Sequence, residues 1–146
     1  PNLPTTRPPV RAPKTPPRDR LFRNTADGRF EDVTDQAGVL QTAYGQGVSV
    51  GDVNSDGFDD IHVANVGGNR LLINNGDGTY SDGTGAAGIA GNQWSINGLL
   101  ADLDGDGLPD LYVVNYLAGD DVFMPSCPPD ASNGRPCSLV RRRNSL

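Results

Sequence analysis

Short apolar stretches alternate with clusters of Gly, Asn and Asp along the middle of the chain. Gly47-Val48-Ser49-Val50-Gly51 and Asp60-Ile61-His62-Val63-Ala64-Asn65 are short, rich in β-branched residues and bounded by turn formers, and they read as strands. Arg70 to Asn74 and Thr79 to Asp82 read the same way. They flank Asn75-Gly76-Asp77-Gly78, where residues tolerant of positive φ suit a hairpin. No apolar run approaches the roughly 20 residues that a membrane-spanning helix requires.

The pattern occurs twice. Residues 20–69 set over 70–119, at an offset of fifty and without a gap, give fifteen identities, among them Arg20/Arg70, Asn24/Asn74, Asp32/Asp82, Asp52/Asp102, Asp60/Asp110 and Asn65/Asn115. Conservative pairs such as Phe30/Tyr80, Tyr44/Trp94 and Ile61/Leu111 extend the match. Self-similarity at such a period marks a repeat architecture, and four strands in about fifty residues is the content of one β-propeller blade. The expected fold is all-β, with residues 45–84 forming one full four-stranded blade. Residues 20–34 are then the outer hairpin of a preceding half-blade, and 95–115 the inner strands of a following one. The segments 35–39 and 85–89 read as turns from blade to blade. One full blade and two half-blades do not close a ring, so the chain reads as an excerpt of a larger propeller.

Composition supports this assignment. Nineteen Gly and twelve Pro stand against nine aromatic residues among 146, which favours short strands and tight turns over a helical bundle. The net charge of -6 conceals three regions. Residues 1–23 carry six bases and one acid, residues 24–134 seventeen acids and two bases, and the last twelve residues four bases and no acid. The acidic middle would repel phosphate, which argues against nucleic acid as a partner and for cations. Seven of the first seventeen residues are Pro, so residues 1–19 read as a basic, extended or disordered linker before the repeat region at 20–118. Residues 119–146 read as a Pro/Cys loop and a basic tail containing Arg141-Arg142-Arg143. The chain begins at Pro1, its single Met is Met124, and no signal peptide is visible, as expected for a processed product or an excerpt.

The sharpest chemistry lies between the first two strands of each unit. Asp52-Val53-Asn54-Ser55-Asp56-Gly57-Phe58-Asp59-Asp60 and Asp102-Leu103-Asp104-Gly105-Asp106-Gly107-Leu108-Pro109-Asp110 share the pattern D-x-[DN]-x-D-G-x-x-D. Oxygen side chains at positions 1, 3 and 5 of a tightly wound loop converge, and Gly at position 6 permits the turn. The backbone carbonyl at position 7 (Phe58, Leu108) and the carboxylate at position 9 (Asp60, Asp110) complete a shell of hard oxygens. Such a flexible, all-oxygen shell suits Ca²⁺, whereas Mg²⁺ demands a tighter octahedron. Asp, Asn and Gly are also plain turn formers, but the doubling of the pattern favours a metal. An EF-hand would need helical flanks and a Glu at position 12, where Val63 and Val113 stand here.

The run Gly51 to Asn65 alternating with Asn69-Arg70-Leu71-Leu72-Ile73-Asn74-Asn75-Gly76-Asp77-Gly78-Thr79-Tyr80 resembles FG-GAP/VCBS repeats, and more narrowly the cartilage acidic protein (ASPIC) group of secreted or cell-surface repeat proteins. The resemblance covers roughly residues 20–118 and implies a calcium-bearing β-propeller of about seven blades. It carries the calcium loop onto Asp52, Asn54, Asp56 and Asp60, and onto Asp102, Asp104, Asp106 and Asp110.

Other residues add little chemistry. Cys127 and Cys137 bracket a Pro/Gly-rich loop, where a disulfide suits an exported chain, with unpaired thiols or absent partners as the alternatives. The single histidine, His62, has no accompanying nucleophile and reads as a packing or surface residue. Tyr44 and Trp94 read as packed residues just before the first strand of each unit. The expected function is that of a non-catalytic calcium-binding module of a secreted or cell-surface protein, extracellular or periplasmic. It would act in adhesion, matrix or protein-protein interaction, with a protein or glycan partner. The alternatives are a propeller-based enzyme or carbohydrate-binding protein whose site lies in blades absent from this chain, and an acidic metal buffer.

Overall fold

A computed structural model of the chain describes residues 18–39 and 41–117. The lead-in up to residue 17, the Cys127/Cys137 pair and the basic tail lie outside the described residues. Eight strands follow one another: β1 (Phe22–Asn24), β2 (Phe30–Asp32), β3 (Tyr44–Gly51), β4 (Asp60–Gly67), β5 (Arg70–Asn74), β6 (Tyr80–Asp82), β7 (Gln93–Ala101) and β8 (Asp110–Leu117), with a single helical turn, α1 (Thr34–Ala37), after β2. The fold is all-β, and every pairing is antiparallel.

Strands β3 to β6 form a four-stranded meander, the blade. β3 runs against β4 from Tyr44↔Val66 to Gly51↔Asp60; Ile61↔Leu72 and Val63↔Arg70 join β4 to β5, and Leu72↔Asp82 and Asn74↔Tyr80 join β5 to β6. β7 and β8 repeat the β3/β4 pairing fifty residues on, with Ala101↔Asp110 matching Gly51↔Asp60. The register shift between Gly45 and Gly47 recurs between Ser95 and Asn97, so one extra residue, Gln46 or Ile96, bulges from the inner strand of each unit. The units join where the far end of β4 pairs with β7 through Val66↔Trp94 and Gly67↔Gln93.

The β1/β2 hairpin is built like β5/β6. The Leu21 amide donates to Thr34 Oγ1 at 2.9 Å and the Leu71 amide to Thr84 Oγ1 at 3.0 Å. The Thr25 amide reaches the Arg29 carbonyl at 2.8 Å and the Asn75 amide that of Thr79 at 2.9 Å. Ion pairs Arg20–Asp32 and Arg70–Asp82 occupy the same place on each hairpin. They are exposed, and such pairs contribute at most about 1 kcal/mol. The Thr84 hydroxyl, then its amide, hold the Asp82 carboxyl below the usual carboxylate range, and Arg70 adds to this.

Two contacts fix the hairpin and the second unit to the blade. On one face, α1 delivers Ala37 and Val39 onto Leu72, with Leu21, Ile61 and Tyr80 packed around them. Gly38, in the left-handed region at φ +72°, ends the helical turn and lets the chain reverse. Segment 35–39 is therefore helical in part, while 85–89 is a plain turn. On the opposite face, the small residues of β3 meet β7. His62 is fully buried there, with Nδ1 3.3 Å from Ser49 Oγ, and burial pushes its pKa below the usual imidazole value. The close approach needs Gly98, where a Cβ would lie 2.6 Å from His62 Nδ1. Tyr44 and Trp94 lie inside β3 and β7 rather than ahead of them, because pairing to β4 and β8 continues past the bulge. Tyr44 is exposed, and Trp94 packs edge-on against Tyr116 with ring centroids 5.6 Å apart.

Candidate metal centre

The two aspartate loops occupy the same place, one joining β3 to β4 and the other β7 to β8. Each is wound by two left-handed residues at positions 4 and 6: Ser55 and Gly57 at φ +59° and +88°, and Gly105 and Gly107 at +83° and +88°. Right-handed and left-handed residues in alternation coil the backbone tightly and turn its amides inward.

The side-chain oxygens at positions 1, 3 and 5 accept those amides. In the first loop the Gly57 amide donates to Asp52 Oδ2 at 2.8 Å, the Asp56 amide to Asp52 Oδ1 and to Asn54 Oδ1 at 3.1 Å each, and the Phe58 amide to Asp56 Oδ1 at 2.9 Å. The second loop has the Gly107 amide on Asp102 Oδ2 at 3.0 Å, the Asp106 amide on Asp104 Oδ1 at 3.1 Å and the Leu108 amide on Asp106 Oδ1 at 2.8 Å. Asp102, Asp104 and Asp106 each bring a carboxylate oxygen within 4.8 Å of the other two, on an exposed loop. Like charges at that spacing in water repel by about 1 kcal/mol per pair. Asn54 makes the first loop less acidic, and its Nδ2 donates to Asp56 Oδ2 at 2.8 Å.

Position 9 is placed differently. Asp60 is fully buried, and its two oxygens accept the amides of Val53 at 2.9 Å and Asn74 at 2.8 Å, tying the loop to β5. Asp110 accepts the Leu103 amide at 3.0 Å, is exposed, and stands outside the group of three carboxylates. Position 7 would enter a shell only through its carbonyl. The Phe58 and Leu108 side chains face outward, and the Phe58 ring lies over Gly76, where a Cβ would meet it at 2.7 Å. Asn74, absent from the expected site, also caps the loop by donating from its side chain to the Asp59 carbonyl at 3.1 Å. The signal for it was the identity Asn24/Asn74 across the repeat.

Ser55 is the one residue other than Gly with positive φ among the described residues. A left-handed residue with a Cβ costs about 1–2 kcal/mol, part of which Gly loses again through its freer unfolded chain. Ser55→Gly is expected to raise stability by about 0.5–1 kcal/mol, read from the urea midpoint in EDTA, and Gly105→Ser to lower it. A lower midpoint for Ser55→Gly would contradict this account of the loop.

The model of a family described as FG-GAP-like repeat matches residues 12–63 and 52–113, together most of the chain. The chain belongs to the FG-GAP-like repeat family. The two FG-GAP-like matches overlap over the first aspartate loop and the start of β4, so that loop closes one match and opens the next. FG-GAP repeats are commonly extracellular interaction modules, typically non-catalytic, and usually occur in extracellular or surface proteins. Among curated proteins none matches this chain. No described helix is long and apolar enough to cross a membrane.

Proposed function

We propose that this chain is a calcium-binding FG-GAP-like repeat module of an extracellular or cell-surface protein, acting in adhesion, matrix or protein-protein interaction. The observation that carries the reading is the convergence of Asp102, Asp104 and Asp106 on an exposed loop, in a pattern repeated fifty residues away. The donor set fits calcium: all ligand atoms are oxygens, and amide bonds already orient the carboxylates. Asp102, Asp104, Asp106, Asp110 and the Leu108 carbonyl would hold one ion. Asp52, Asn54, Asp56, Asp60 and the Phe58 carbonyl would hold a second, with one charge fewer. The resemblance to the ASPIC group belongs to this reading, as does placement among secreted proteins. A bound ion would offset two of the loop's negative charges and brace the turn between the inner strands.

Calorimetric titration of the 146-residue chain with CaCl₂ tests it. Two binding events are expected; Asp102→Ala should remove the tighter, and Asn54→Asp should tighten the weaker. Calcium at one hundred times the dissociation constant of a site stabilises the fold by about 2.7 kcal/mol, which EDTA would take away. An absence of heat at about millimolar calcium, the weak end of the known range, would overturn the proposal.

A further inference from the structure

Asn75-Gly76 opens the turn of the β5/β6 hairpin, and both residues are exposed. An Asn followed by Gly carries a latent reaction, because a glycine has no side chain to keep its amide nitrogen from the asparagine side-chain carbon. The sequence holds three such pairs, at 75–76, 97–98 and 133–134, the last outside the described residues. Asn97-Gly98 lies within β7, paired through Asn97↔Val114 and Gly98↔Val113. Extended backbone turns the following nitrogen away from the side-chain carbon, so the sheet protects that pair. Asn75-Gly76 has no such protection, since it lies in a turn where Gly76 is left-handed at φ +78°. The matching place on the β1/β2 hairpin is held by Thr25-Ala26, which has no side-chain amide to lose.

Side-chain contacts restrain the reacting groups in the closed hairpin. Asn75 Nδ2 donates to Thr79 Oγ1 at 2.9 Å, and Asn75 Oδ1 accepts the Ser81 hydroxyl at 2.9 Å, which draws the side chain across to the returning strand. The attacking nitrogen is engaged as well, since the Gly76 amide donates to Asn74 Oδ1 at 3.0 Å. The Phe58 ring covers Gly76 from outside. These contacts lie at an exposed turn, and such turns open far more often than the core of a sheet.

We infer that Asn75 is a self-modification site, converted to aspartate and isoaspartate at a rate set by opening of the β5/β6 turn. Once the turn opens, the Gly76 nitrogen gives up its proton to the solvent and bonds to Asn75 Cγ. The Cγ–Nδ2 bond breaks, and the amide nitrogen takes up a proton and leaves as ammonia, closing a succinimide ring. Water then adds to one ring carbonyl. Breaking the new bond to Cγ yields aspartate, and breaking the original peptide bond to Gly76 yields isoaspartate. One water is consumed, one ammonia is released, and nothing is oxidised or reduced. The product does not close the turn as before. The donor on Thr79 Oγ1 has become a carboxylate oxygen, while the Thr79 hydroxyl already gives its one hydrogen to Asp77 Oδ1 at 2.6 Å. Because both side chains meet that hydroxyl, the added charge stands beside Asp77. The conversion therefore runs one way. Its effect reaches the first aspartate loop through Asn74, whose amide donates to Asp60 and whose side chain donates to the Asp59 carbonyl. The step needs no metal and stands apart from the calcium reading.

The test holds the 146-residue chain in mildly alkaline buffer with EDTA, and a second sample in urea above its unfolding midpoint. Peptide mass spectrometry follows the change from amide to acid at each Asn, and chromatographic retention separates aspartate from isoaspartate. Asn75 is expected to convert in both samples, about ten- to a hundredfold more slowly in the folded chain, and there ahead of Asn97. Ser81→Ala, a change at an exposed position that removes one restraint on Asn75, should speed the folded-state reaction about threefold and leave the rate in urea unchanged. Asn75→Asp, made directly, should lower the urea midpoint, because the donor to Thr79 is gone. Equal rates in the two samples would overturn the inference, as would a folded chain whose Asn75 stays intact over about a hundred of the half-lives measured in urea. So would a Ser81→Ala chain no faster than the wild type, faster conversion at Asn97 than at Asn75 in the folded chain, or an Asn75→Asp midpoint equal to that of the wild type.

Discussion

Gly47→Ala is expected to destabilise the chain by about 3 kcal/mol, the upper part of the range for overpacked cores. A Cβ at this position would lie 2.5 Å from the Ile96 carbonyl oxygen, 2.7 Å from Asn97 Oδ1 and 2.9 Å from Asn97 Cα. Two of those three atoms are backbone of β7, which is paired to both β4 and β8, so they can yield only by moving a strand held on two sides. Gly85 is the matched control. It stands in the turn after β6, a Cβ there meets nothing within 4 Å, and its φ is compatible with alanine; Gly85→Ala should leave stability unchanged or raise it by about 0.4–1 kcal/mol through the unfolded chain. Urea midpoints of the two variants separate the effects. Equal midpoints would mean that the blade-to-blade contact is looser than these distances require.

Asp60→Ala should cost about 2–4 kcal/mol even in EDTA. Its carboxylate is the sole partner described for the Val53 and Asn74 amides, and each donor left unsatisfied in a partly buried place costs about 1–2 kcal/mol. Asp60→Asn keeps one acceptor oxygen and turns an amide NH₂ toward the other donor, so about half the loss is expected. Asp110→Ala, which strands only the exposed Leu103 amide, should cost about 1 kcal/mol or less. Chemical denaturation without metal measures the structural share, and the same variants titrated with calcium measure the ligand share. Should Asp60→Ala and Asp110→Ala prove equal in EDTA, the loop-to-β5 tie would not be stabilising the blade.

Much of the strand layout was legible because the chain repeats itself. Once Asp52 and Asp102, or Gly57 and Gly107, are aligned, turn residues on either side bound the strands, and local chemistry suffices to wind the loops. The start of β3 at Tyr44 is not legible in the sequence, since a bulge at Gln46 is a property of two strands together and leaves no mark in the composition of either. Burial was also beyond sequence reading. His62 and Tyr112 hold the same repeat position, but one lies against Gly98 and the other faces solvent, a difference set by which neighbour stands beside each strand. For the same reason the two position-9 aspartates share a spacing and differ in hydrogen bonding. Asn74 could have been added to the candidate site, because a polar residue preserved across a duplication at a strand end has few reasons to persist other than a specific hydrogen bond.

The bulge described in β3 and again in β7 has a consequence for how such chains change over time. Because both inner strands step out of register at the same point, and both loops return the chain with the same pairing, the junction from unit to unit is geometrically indifferent to how many units precede it. Unequal crossing-over between the two Asp-Gly segments in the gene would then add or delete a whole fifty-residue unit while keeping the pairs from Gly45↔Asn65 to Gly51↔Asp60 in step with those from Ser95↔Asn115 to Ala101↔Asp110; only the pair at Tyr44 and Trp94 differs between the units. Array length could drift in single steps while the shape of each step is conserved.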